Sequence, residues 1–77
     1  MLMHAEVETI RTMVRRLPLG ASDREIVRFL YRRFPRNLSG KLYATRERRH
    51  EAYRLAISFS REREADHARA AARYLGL

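Results

Sequence analysis

The chain has 77 residues, 17 Lys or Arg against 9 Asp or Glu, a net charge of +8 and no cysteine. This allows one small domain with a modest core and excludes disulfides and thiolate metal sites. No apolar run approaches the ~20 residues that cross a bilayer, and the start lacks the basic and apolar regions of a secretory signal, so a cytoplasmic protein is expected.

In chain order, the first element is a helix over about residues 2–17. Met3, Val7, Ile10, Val14 and Leu17 recur by four and three, which places them on one face. Pro18 stops it. After the connector "LPLGA", the stretch "SDRE" reads as a capping box between Ser22 and Glu25. It opens a second helix over 22–34 that buries Ile26, Val27, Leu30 and Phe34, with Phe29 and Tyr31 on its flanks. Arg24, Arg28 and Arg32 form a basic row on its other side. Pro35 ends this helix, and "PRNLSGK" is the next connector.

The remainder, 41–75, exceeds the usual helix length. A break at "SFS" would divide it into helices 41–59 and 60–75, with Ser60 as the second cap. Ala52, Leu55, Ala56 and Phe59 share a face ahead of the break, and Ala65, Ala68, Ala72 and Leu75 share one behind it. No strand pattern occurs. The expected fold is all-α, a single compact domain of three or four helices with a helix-turn-helix arrangement as a candidate.

Two Glu-x-x-His pairs, Glu47 with His50 and Glu64 with His67, resemble half of a di-iron carboxylate site. Their separation of 17 residues spans about 25 Å on one helix, too far for metals about 4 Å apart. Exposed polar pairs explain them better, so neither metal nor other cofactor is expected. The four serines suit caps and turns, and the glycines are isolated. The chain reads as non-enzymatic.

The basic charge is concentrated. Residues 11–54 carry a net +9, against −2 before them and +1 after. Such a segment points to a polyanion. The candidate nucleic-acid contacts are Arg24, Arg28, Arg32, Arg33 and Arg36, then Lys41, Arg46, Arg48, Arg49, Tyr53 and Arg54. With 23–34 as a first helix and 41–56 as a recognition helix, duplex DNA is the favoured ligand. The competing reading is a helical interaction module or small regulator that docks on an acidic protein. The stripe Ala65, Ala68, Ala72 and Leu75 suits either core packing or a homodimer. No segment has the bulky apolar face of a membrane-surface helix.

Overall fold

The computed structural model describes residues 2–33 and 45–76. They form three helices: α1 (His4–Val14), α2 (Asp23–Arg33) and α3 (Arg46–Tyr74). The described residues contain no strand, and the all-α bundle expected from the sequence is the fold. None of these helices is long and apolar enough to cross a membrane.

α3 is the spine, and it is unbroken. Its N-cap is Thr45, whose hydroxyl accepts from the Arg48 N–H at 3.2 Å. Helix continues through Ser60, where the sequence suggested a break. The reason is packing. Ala52, Ala56 and Ser60 lie four apart and are all buried, at 0%, 0% and 2% exposure. Ser60 therefore continues a row of small side chains against which the other helices close. It is not an exposed cap.

α1 and α2 cover this row from two sides. Ile10, Met13, Val14 and Leu17 of the first segment join Ile26 and Leu30 of α2 in one core with Ala52 and Ala56. Val7, Phe29, Tyr53, Leu55, Ile57 and Phe59 rim it. α1 runs along α3 in the same direction: Glu6 meets Arg48, and Val14 and Leu17 meet Arg63. α2 runs the opposite way, from Asp23 beside Arg61 to Arg33, which shares a groove with Glu8 and Thr9 early in α1.

Helix ends follow the sequence closely in one case and less so in another. The Ser22–Glu25 capping box is formed, at 3.2 Å to the Ser22 hydroxyl and 3.4 Å to the Glu25 carboxylate. α1 stops at Val14, earlier than Pro18 alone requires. The N–H groups of Arg16 and Leu17 turn back three residues, each at 3.0 Å, to Met13 and Val14, a tightened last turn. At the other end Met3 lies outside the helix and is 62% exposed, while Leu2 is buried in its place.

The connector from Leu17 to Asp23 is fastened by α3. Gly20 has a φ of 85°, a conformation that favours glycine. Its N–H donates to Glu64 at 3.1 Å. Arg61 donates to the Ala21 carbonyl, to Glu64 and to Asp23, and the Asp23 bond raises its pKa above the ordinary arginine value. Arg63 donates to the Leu17 and Val14 carbonyls, capping α1 with a cation where its dipole is negative.

Candidate nucleic-acid interface

The structure sorts the arginines by what they already hold. Arg48 is turned inward. Its guanidinium donates to both oxygens of Glu6, at 2.9 and 3.0 Å. Glu6 is only 3% exposed, and it also accepts from the Met3 N–H at 2.9 Å. Arg48 was a candidate contact on sequence grounds; here its chemistry is spent on joining the start of α1 to the start of α3. Arg11 lies 4.2 Å over the Phe59 ring and beside Glu8. Arg61 and Arg63 hold the connector, and Arg69 is paired with Asp66.

The outer row of α2 is different. Arg24, Arg28 and Arg32 are exposed and lie opposite the buried Ile26 and Leu30. No ion pair to any of them occurs among the described residues. The two acids of this helix are both at its start, where Glu25 completes the capping box and Asp23 holds Arg61. Successive arginines of the row are about 6 Å apart along the axis. Arg33 bends away toward α1. It lies 5.4 Å over Phe29 and faces the groove that Arg16 also lines.

The second group of candidates lies in the first part of α3. Because α2 and α3 are antiparallel and Asp23 lies beside Arg61, the rise of about 15 Å to Arg33 ends near the level of Glu51, about a turn and a half short of Arg46. Arg46, Arg49 and Tyr53 step by three and four, so they share one side of α3. Arg46 is exposed and Arg49 half-buried. The Tyr53 ring packs on the core, 6.4 Å from His50, so its body is structural. Arg54 is exposed on another side of α3, beside Glu51 and Leu55 along a shallow groove. Arg36 and Lys41 lie outside the described residues, as does the proposed turn of the helix-turn-helix.

The paired Glu-x-x-His motifs do not converge. Both lie on the continuous α3, and Glu64 is occupied by Gly20 and Arg61. Among the described residues no three His, Asp or Glu side chains gather as a metal site.

Sequence reasoning missed Glu6, Arg61 and Arg63. Glu6 sits one residue from Val7 on the apolar face, a placement that hints at a partnered carboxylate. Its partner, 42 residues away, left no local trace. The pair makes a test. Glu6→Ala strands a half-buried guanidinium whose Nε already lacks a partner. The expected cost is about 2 kcal/mol, below the ~3–5 of a fully buried pair because water still reaches Arg48. Thermal unfolding followed by circular dichroism should then shift down by roughly 8–16 °C. An unchanged midpoint would show that the pair only offsets its own desolvation.

The chain matches no family model, no curated protein and no solved structure.

Proposed function

We propose that the protein is a non-enzymatic nucleic-acid-binding module and that duplex DNA is its ligand. The observation that carries this reading is the Arg24–Arg28–Arg32 row: three exposed cations on one helix face, without a carboxylate partner among the described residues, in a chain of net charge +8. By contrast Arg48, Arg61, Arg63 and Arg69 are matched to acids or carbonyls. Charge left unmatched in a regular row suits a regular polyanion. In the helix-turn-helix form of the proposal, α2 lies along phosphates and the start of α3, with Arg46 and Arg49, turns toward base edges.

The test is a mobility-shift titration on duplex DNA across a salt series. Each neutralised phosphate contributes about −0.9 to the slope of log K against log salt. With five or six contacts, affinity should fall by roughly a thousandfold between 50 and 200 mM salt. Folded protein in micromolar excess that gives no shift at 50 mM salt would overturn the reading. The row would then be assigned to an acidic protein surface.

A further inference from the structure

The outer face of α2 carries an aromatic ring as well as cations. Phe29, Tyr53 and Phe59 pack on the rim of the core, and Phe29 and Phe59 also lie under Arg33 and Arg11. Tyr31 stands outside that rim and is 67% exposed. Tyr31 is seven residues from Arg24 and three from Arg28, so it shares their side of the helix. In height it falls between Arg28 and Arg32, about 4.5 Å beyond the one and about 1.5 Å short of the other. Tyr74 is 91% exposed as well, but with Ala65, Ala68 and Leu75 it lies on the end of α3 past the core, away from this row.

We propose that Tyr31 stacks on an unpaired base, and that the ligand of the α2 row is therefore duplex DNA interrupted by a short single-stranded gap. The inference rests on the nucleic-acid reading of the row and narrows its ligand.

Charge alone does not call for an aromatic ring. Arg24, Arg28 and Arg32 meet the phosphates of any nucleic acid. A ring held among them gains by covering a flat apolar face. In an intact duplex the base faces are stacked on one another, and only the base edges are open in the grooves. The faces become open where pairing is interrupted. Cations that follow a backbone, with an aromatic ring beside them, are the combination that holds single-stranded segments. On α2 the two parts are in register. Three charges about 6 Å apart follow the backbone, and the ring, level with the second interval, takes one base. A gap keeps paired DNA on either side, as the docking of α3 on base edges in the major groove requires.

The test compares two DNAs of the same sequence, one an intact duplex and one with a gap of a few nucleotides, by mobility shift across a salt series. Wild type should bind the gapped DNA about tenfold more tightly, within the range contributed by stacking one base. Tyr31→Ala should lose that preference while its affinity for the intact duplex and its helicity stay unchanged. Its salt slope should equal that of wild type on both DNAs, because no charge is removed, whereas Arg28→Ala lowers the slope on both. Tyr31→Phe keeps the ring and should keep most of the preference. The chain has no tryptophan, so Tyr31→Trp supplies a single emitter at the site. Its emission should be quenched by the gapped DNA and little changed by the intact duplex.

Equal binding of the two DNAs by wild type would overturn the inference and leave duplex binding standing. A preference that survives Tyr31→Ala would overturn it too, and would assign the preference to the easier bending of gapped DNA. Equal losses from Tyr31→Phe and Tyr31→Ala would overturn stacking in favour of a bond from the hydroxyl. No binding to either DNA at 50 mM salt would overturn the nucleic-acid reading and this inference with it.

Discussion

Replacing Arg24, Arg28 and Arg32 together with alanine is expected to weaken duplex DNA binding by about a hundredfold and to lower the salt slope by roughly three units. These side chains are exposed and opposite the core. Removal of such groups changes stability within about 0.5 kcal/mol per site, and alanine favours helix. The loss would therefore report contact with phosphate, with the fold intact. Arg28→Ala alone should weaken all sequences alike and reduce the slope by about one unit. Arg49→Ala should behave differently. In the helix-turn-helix docking it faces base edges, so it should cost about 1–3 kcal/mol on a preferred site and flatten the preference between sites. Equal, sequence-blind losses from both would leave α2 and α3 as one electrostatic surface. No loss from the triple variant would place the ligand elsewhere. Arg48→Ala is unsuitable as a comparison, because Arg48 holds Glu6 and its loss would weaken the bundle itself.

The helical class and the second helix were legible because their determinants are local. The Ser22–Glu25 box, the step from Ile26 to Leu30 and the arginine row all repeat within one or two turns. The unbroken α3 was not legible at Ser60. A serine after an aromatic residue reads as a cap unless one knows that two other helices close on it. The inward turn of Arg48 was partly legible, because Arg48 lies four residues before Ala52, in line with Ala56 and Ser60 and away from the side of Arg46 and Arg49. The carboxylate that it meets, 42 residues away, left no local trace. The fastening of the connector by Arg61, Arg63 and Glu64 likewise depends on residues 38 to 49 positions distant. In a short basic chain, local pattern identified which residues carry charge. Tertiary pairing decided which of those charges remain for a ligand.

The second large effect is expected in the core. Ala56 is fully buried in the row with Ala52 and Ser60. Helices that close on alanine have no room for three more carbons at that position. Ala56→Leu should therefore cost about 3 kcal/mol, the upper part of the usual range for overpacking. A domain of this length has roughly 4–12 kcal/mol in total, so the variant would lose a large share of its margin. Urea unfolding should show a lower midpoint with a similar slope. Leu55→Ala, at a half-buried rim position, should cost less. A midpoint for Ala56→Leu equal to wild type would mean that α1 and α2 can move apart without penalty, and that the small-residue row does not set their spacing.

The fastening of the connector has a consequence for how the chain matures. The turn between α1 and α2 finds its partners late in the sequence, since Asp23 is held by Arg61, 38 residues downstream. At a synthesis rate of about 5–20 residues per second, roughly 2–8 s separate the two. During that interval the Ala21 carbonyl and Gly20 N–H would be unclaimed by α3, and the apolar faces that α1 and α2 bury on it would be uncovered. The nascent first half is thus the species most exposed to proteases and to aggregation. A transcript interrupted before Arg61 would yield a fragment without the contacts that close its own turn.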